Sequence, residues 1–486
     1  MHDMRRKAGT PREILENVEI LSAGAEGMAV AKPGDKVVFV PFAAPGDVVD
    51  LVVVRKKKSF IEAKITAIHQ LSNQRTTPRC QHFTICGGCK WQHLAYEHQL
   101  AFKARQVRDN FDRIGKFSYP PLLPIMGSER QYEYRNKLEF TFSNRCWLVE
   151  KPTAELLTDE NRDGLGFHLP GMFDRILDIE HCHLQEEPSN AIRIAVKDYA
   201  IRHGLTFYDV KKNEGLLRNL IIRNVANDQL MVILVVSLAD EAVLQGLLPH
   251  LSVGFPQISS LMYVVNTKKN DQISDLEAVV FSGSPFLTAH MDSPVSGQPS
   301  LKFQVGPISF FQTNSVQAER LYRLVFDFAG FTGNETVYDL YSGTGTIALY
   351  VARAVGKVIG IEYVEEAVGD ARTNAMLNAI GNVAFVAGDM PKVLSKDFVL
   401  QHGHPDVVIT DPPRAGMHPD VVAQLLEVKA ERIVYVSCNP ATQARDIAML
   451  SAAYSVEKVQ PVDMFPQTQH VENVALLRLK NGFEQA

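Results

Sequence analysis

At 486 residues and 46% hydrophobic content, the chain can bury several cores, and about 100–200 residues per domain gives two to four domains. Its longest apolar runs, such as Leu51–Val54 and Leu230–Val236, are strand-sized, which excludes a helical membrane span of roughly 20 apolar residues. The formal charge of −5 hides an asymmetry: Met1–Phe117 holds 19 Lys+Arg against 12 Asp+Glu, so this part is +7 and the remainder −12.

The basic N-terminus, MHDMRRKAGT, leads into no apolar h-region, so no secretory signal is expected and a cytoplasmic home is. From Glu16 to Ile68 short alternating strands are predicted (ENVEIL, MAVAK, KVVFV, DVVDLVVV, FIEAKITAI), parted by Gly and Pro turns. Five strands in so short a stretch predict a small OB-like barrel over 10–69, a common nucleic-acid platform. The RKKK run at Arg55–Lys58 beside it is either a phosphate-binding edge or a solvated hairpin tip.

A second domain is expected over 70–305. It begins with RCQHFTICGGCKWQH, where Cys80, Cys86 and Cys89 have metal-ligand spacing and lack only a fourth ligand. In a reducing compartment, six cysteines in so long a chain read as ligands or catalytic thiols, not as disulfides. The spacing does not separate zinc from a [4Fe–4S] cluster, and nearby His82, His93, His181 and His183 keep zinc open. Of the remaining cysteines, Cys182 in the turn-like HCHL suits a ligand better than Cys146, which is expected inside a strand. An amphipathic helix with a basic face is predicted over about 96–114, packing on the C-terminal domain. Strands follow at Tyr132–Phe142, Leu216–Asn224, Met231–Val236 and Leu261–Asn266.

Over 306–486 strands alternate with helices: TVYDLY and a helix from Thr346, KVIGIEY and a helix over Val364–Ala379, then VAFVAGD, DVVITDPP, RIVYVSC and NVALLRL. This is the signature of a doubly wound, mostly parallel α/β sheet, in which ligands sit at the carboxyl ends of the strands. Asp339-Leu340-Tyr341-Ser342-Gly343-Thr344-Gly345-Thr346 is a strand end with two glycines and a helix, and Glu362 closes the next strand, placed for a ribose. A dinucleotide loop would want a third glycine where Ala348 stands and would not open on an acid. S-adenosylmethionine, with an amino group and a sulfonium in place of phosphate, suits Asp339 better.

Asp411-Pro412-Pro413-Arg414 projects from a strand end but lacks the aromatic that would stack on a base whose exocyclic nitrogen is the acceptor. Ser437-Cys438-Asn439-Pro440 decides the chemistry. Carbon 5 of uracil is a poor nucleophile until a group adds to carbon 6, and a thiolate suits that task. A base must then remove the carbon-5 proton; Glu472 in His470-Val471-Glu472 is the first choice and His470 its competitor.

Together these motifs resemble the iron–sulfur-containing RNA 5-methyluridine methyltransferases of the 23S ribosomal RNA type, with an N-terminal TRAM barrel. The likeness covers almost the whole chain: barrel, cysteine cluster, Phe310-Phe311-Gln312-Thr313-Asn314, glycine loop, Asp-Pro-Pro-Arg, Ser-Cys-Asn-Pro and Asp463-Met464-Phe465-Pro466 with His-Val-Glu. The resemblance implies a [4Fe–4S] cluster on Cys80, Cys86, Cys89 and Cys182. It also implies S-adenosylmethionine held by Gln312, Tyr341, Thr346, Glu362, Asp389 and Asp411, with Cys438 as nucleophile and Glu472 as base. Relatives often carry Asn where Thr346 stands, Cys where Ser342 stands, and no second proline at Pro413. The implied partner is RNA, 23S ribosomal RNA before tRNA, because tRNA-specific relatives usually lack barrel and cluster. The sequence leaves the oligomeric state open, with a monomer favoured. The alternatives are a nitrogen methyltransferase of the same fold and a non-catalytic RNA-binding or assembly factor.

Overall fold

The computed structural model describes residues 13–147, 162–225 and 229–482. The basic N-terminal stretch and the first residues of the expected 10–69 barrel lie outside the described residues. The chain divides into two compact units: one holds the residues up to Gln106 together with Phe465–His470, the other holds the rest. Among the described residues no helix is long and apolar enough to cross a membrane.

In the first unit β1 (Ile14–Ala23), β2 (Met28–Ala31), β3 (Val37–Pro41), β4 (Val48–Lys56) and β5 (Phe60–Gln70) close into a barrel of order β1-β2-β3-β5-β4. Alternation drives it: Val38, Val40, Val49, Leu51, Ile61 and Ala63 point inward, while their neighbours face out. The basic run ends β4, and two of its cations are already paired, Arg55 with Glu62 and Lys56 with Glu13. This favours the solvated-tip reading for half of the run. The cysteine loop is irregular, as its composition predicts, and Trp91 and Leu94 anchor it in a small core with Ala44. Helix α1 (Tyr96–Asn110) follows, and the unit boundary falls inside it.

In the second unit α1 ends in a wider π-helical turn, Phe111–Gly115. A seven-stranded mixed sheet comes next: β6 (Lys137–Ser143), β7 (Gly164–Leu169), β8 (Met172–Asp178), β9 (Leu217–Val225), β10 (Gln229–Val236), β11 (Ile258–Val265) and β12 (Ala278–Gly283), ordered β12-β11-β10-β9-β6-β7-β8. Helices α2 (Ser189–Arg202) and α3 (Leu248–Gly254) accompany it. Cys146 lies beyond the end of β6, with an isolated bridge to Ile176 and its amide donating to the Arg162 carbonyl at 2.9 Å. Cys182 lies in the irregular segment after β8, its amide bonded to Asn190 Oδ1 at 2.8 Å. A hairpin, β13 (Leu287–Met291) with β14 (Leu301–Val305), leads to α4 (Ser315–Ala329).

The rest is the predicted α/β sheet. Strands β15 (Thr336–Leu340), β16 (Lys357–Glu362), β17 (Val383–Ala387), β18 (Val407–Thr410) and β19 (Arg432–Ser437) are parallel, and β20 (Tyr454–Val462) and β21 (Glu472–Leu479) complete the order β17-β16-β15-β18-β19-β21-β20. Helices α5 (Thr346–Ala352), α6 (Glu365–Leu377), α7 (Met390–Val393), α8 (Lys396–His402), α9 (Pro419–Val428) and α10 (Pro440–Leu450) connect the strands. Val107 and Phe111 share one core with Tyr338, Ile359, Val408, Ile433 and Ala475. The order reverses between β15 and β18, so the crevice for a ligand opens at their carboxyl ends. Strand β21 runs antiparallel to β19, which brings its amino end, Glu472, to that same edge.

Candidate active site

The glycine loop leaves β15 through three residues of positive φ: Tyr341 (+63°), Gly343 (+53°) and Gly345 (+79°). A non-glycine residue in this region costs about 1–3 kcal/mol, a strain typical of ligand-contacting turns. At Gly345 a side chain has no room, since a Cβ would lie 2.7 Å from Phe385 Cζ. Glu362 fixes the loop from β16. Its Oε2 accepts the Gly343 amide and its Oε1 the Val364 amide, both at 2.9 Å, which leaves lone pairs for a ribose.

Asp339 is 1% exposed, and neither carboxylate oxygen has a hydrogen-bond partner. The Ala348 amide leans toward it without reaching hydrogen-bond geometry. Burial, then the neighbouring Asp411 and Glu362, push its carboxyl well above the ordinary range. A buried acid left without donors fits a cationic ligand, as the ammonium of S-adenosylmethionine would be.

Of the other predicted donor residues, Tyr341 and Thr346 belong to this loop, and Asp389 is near enough to Tyr341 to act on its phenol. Thr346 begins α5, and its side chain faces the hydroxyl of Tyr322 on α4. Tyr341 is half-buried; burial, then Asp446 and Asp389, push its phenol up to about 12. Asp389 stands at the start of α7 and pairs with Lys392 at 3.1 Å. Gln312 sits between β14 and α4, its carbonyl held by Asn136 Nδ2 at 2.8 Å. Asn314, from the same motif, caps α4 and donates to the Met464 carbonyl at 3.0 Å.

Cys438 follows β19 directly, and Asn439 with Pro440 starts α10 behind it. Ser437 pairs with Asn473 across the antiparallel strands, so Cys438 and Glu472 come next along the two strands, on one side. Gln443 fixes this pairing, donating to the carbonyls of Tyr435 (2.9 Å) and Asn473 (3.2 Å) while Asn473 Nδ2 donates back at 2.7 Å. Burial pushes the thiol up to about 11, Glu472 and Asp411 add to the rise, and Arg414 opposes it. Burial, then Asp411, push Glu472 up to about 8, again against Arg414, and burial alone takes Asp411 to about 7. Asp411 and Arg414 therefore act on the ionisation of both Cys438 and Glu472. His470, the competing base, lies in the other compact unit, 6.3 Å between ring centroids from Phe465.

Sequence reading missed Tyr322, which is buried and feels Asp411, Asp339 and Glu472, because a tyrosine on a helix's apolar face carries no motif. It also missed Arg445 and Asp446, although both follow the Ser-Cys-Asn-Pro motif closely. In the cysteine loop, Cys80 adds to the burial-driven rise of the Cys86 thiol, so the two thiols are neighbours. Cys182 belongs to the other unit, and among the described residues no three His, Cys, Asp or Glu side chains converge on a single metal-ion position.

The sequence model of the family described as tRNA (Uracil-5-)-methyltransferase matches residues 292–480. A protein of Bacteroides thetaiotaomicron named an uncharacterized RNA methyltransferase is 52% identical over 459 residues, covering 94% of this chain and 100% of that protein. One of Porphyromonas gingivalis with the same description is 51% identical, covering 95% of this chain and 99% of that protein. Among solved structures, the Pyrococcus abyssi tRNA (uracil-54, C5)-methyltransferase in complex with S-adenosyl-L-homocysteine superposes with a TM-score of 0.72 at 29% identity, covering 94% of this chain and 99% of that one. The chain belongs to the family of S-adenosylmethionine-dependent RNA (uracil-5-)-methyltransferases.

Proposed function

We propose that this enzyme methylates carbon 5 of a uridine in structured RNA with Cys438 as nucleophile and Glu472 as base. The observation that carries this reading is a thiol and a buried carboxyl side by side at the carboxyl end of the sheet that also holds the unpartnered acid Asp339. S-adenosylmethionine supplies an electrophilic methyl group when bound among Gln312, Tyr341, Thr346, Glu362, Asp389 and Asp411.

The protein's own residues do the rest. The target base leaves its stack to reach the pocket. The Cys438 thiolate adds to carbon 6, which makes carbon 5 an enolate carbon able to take the methyl. Glu472 then accepts the carbon-5 proton, and the electron pair expels the Cys438 sulfur and restores the ring. RNA carrying 5-fluorouridine tests this, since fluorine does not leave as a proton does. The wild type should form a complex that survives denaturing electrophoresis. No complex, or one that persists in Cys438→Ala, refutes the nucleophile.

Cys80, Cys86, Cys89 and Cys182 are proposed to hold a [4Fe–4S] cluster with a structural or RNA-contacting role, since no step above moves an electron. What supports this reading is three half-buried cysteines at ligand spacing on one irregular loop. The barrel is read as a TRAM-type RNA platform. Ribosomal RNA, 23S first, is the proposed substrate. A tRNA uridine is the second reading, favoured by the Pyrococcus tRNA enzyme: it matches this chain almost end to end, so a barrel alone does not mark a ribosomal enzyme. Labelled methyl transfer to 23S transcripts and to total tRNA, side by side, separates the two.

A further inference from the structure

The segment carrying Arg414 is fastened to α10 by four residues at and just after its start. Asn439 Nδ2 and Thr442 Oγ1 donate to the Arg414 carbonyl at 3.0 and 3.3 Å. Arg445 Nη2 donates to the carbonyls of Ala415 and Met417 at 3.0 and 3.2 Å. Asp446 accepts the Met417 amide at 2.8 Å. Asp446 is fully buried and also receives the Tyr435 hydroxyl at 2.6 Å and Arg445 Nε at 2.8 Å. A buried carboxylate with donors on both oxygens is held rigidly, and losing one partner is costly. Gly416, at φ +78°, lets the clamp close, because a Cβ there would lie 2.6 Å from both Arg445 Nη2 and Asp446 Oδ2.

We propose that Asp446, with Arg445 and Tyr435, is a positioning centre that holds the 414–417 segment against Asn439, the residue after Cys438, and so keeps Arg414 beside the nucleophile. The inference rests on Cys438 being the nucleophile. None of the three residues meets the acceptor or donor in the proposed chemistry; they act through the backbone of 414–417. The charged and titratable groups that face the thiol are Glu472 at the start of β21, Asp411 at the end of β18 and Arg414. Asp411 follows β18 directly, its amide donating to the Leu340 carbonyl at 3.4 Å, so loosening the clamp frees the group of opposite sign.

Alkylation of Cys438 in the full-length protein tests this, followed by mass spectrometry of the Cys438 peptide so that the other five cysteines do not interfere. Below the thiol pKa the rate follows the thiolate fraction. Arg445→Ala, Asp446→Asn and Arg414→Gln should each slow alkylation about 3- to 10-fold between roughly pH 7 and 9, as a thiol pKa raised by about 0.5 to 1 unit requires. Iodoacetate should slow more than iodoacetamide, because a cation is lost; a mere change of access slows both alike. In an Arg414→Gln background Asp446→Asn should add nothing. Unchanged rates in folded Arg445→Ala, equal slowing of both reagents, or additive effects in the double variant overturn the inference. If Asp446→Asn fails to fold, Arg445→Ala decides, since Arg445 is 46% exposed and leaves Asp446 its other two partners. Failure of the nucleophile reading shows separately, as absence of the 5-fluorouridine complex.

Discussion

Cys438 and Glu472 stand side by side because β19 and β21 are antiparallel neighbours whose last regular pair is Ser437 with Asn473. Cys438 leaves one strand at the point where Glu472 enters the other. Their roles should therefore separate cleanly by mutation. Cys438→Ala should abolish both turnover and adduct. Glu472→Gln should still form the adduct but release it about 10²- to 10⁴-fold more slowly, so covalent RNA–protein complex accumulates on ordinary uridine RNA. Rapid-quench sampling on denaturing gels measures this; Glu472→Gln behaving like Cys438→Ala would remove Glu472 from the base role.

Much of this was legible in the sequence because strand ends in an α/β sheet are marked by short motifs. The barrel strands were legible by alternation, and β15 to β19 by apolar runs ending in Asp-Leu-Tyr, Ile-Glu, Gly-Asp, Thr-Asp and Ser-Cys. The hairpin of β13 and β14 and the helix α2 were not. Leu-Thr-Ala-His-Met is too short to show a period, and α2 buries Arg193, which bonds the Leu165 and Glu180 carbonyls at 3.2 and 2.9 Å where a sequence reading expects a surface cation. The adjacency of Cys438 and Glu472 depends on the β19–β21 register, which no local motif encodes.

Gly345→Ala should harm both stability and donor binding. Its φ of +79° disfavours any side chain, and the Cβ would press on Phe385 and on Ala371 Cβ, 3.0 Å away. A loss of about 1–3 kcal/mol in unfolding free energy follows, measured by denaturant titration. Binding of S-adenosylhomocysteine, followed by calorimetry, should weaken in the same variant. Gly343→Ala, where a Cβ meets nothing within 4 Å, should show the φ penalty alone and lose less.

Asp339→Asn tests the unpartnered acid. If the carboxylate receives the donor's ammonium, the substitution should weaken S-adenosylhomocysteine about 10-fold or more while raising the stability of the free protein, since a buried acid without donors is replaced by a neutral group. Loss of stability together with unchanged affinity would assign Asp339 to the fold and not to the ligand.

The two sets of thiols should fail in different assays. Anaerobically purified protein should be brown, and Cys86→Ser should bleach it while leaving S-adenosylhomocysteine affinity within about twofold, since donor residues and cysteine loop lie in separate compact units. Colourless wild-type protein containing zinc would overturn the cluster. Cys438→Ala should stay brown.

The acids around the site should also make the ligand-free protein less stable as pH rises, against the usual trend for paired carboxylates. Glu472 and Asp411 are pushed up to about 8 and 7, chiefly by burial, while in the unfolded chain they titrate near 4. Between those limits the folded protein keeps protons that the unfolded chain has released. Their contribution is thus full below about pH 4 and is lost as pH climbs through 7 and 8, a fall on the order of a few kcal/mol. Thermal denaturation from pH 5 to 8.5 measures it, and Glu472→Gln should flatten the slope because its amide does not titrate. Turnover should run the other way: both the Cys438 thiol and Glu472 must lose protons to act, so single-turnover rate should rise across the range in which ligand-free stability declines. A rate that falls from pH 7 to 8.5 in protein still folded would mean that neither deprotonation limits the reaction.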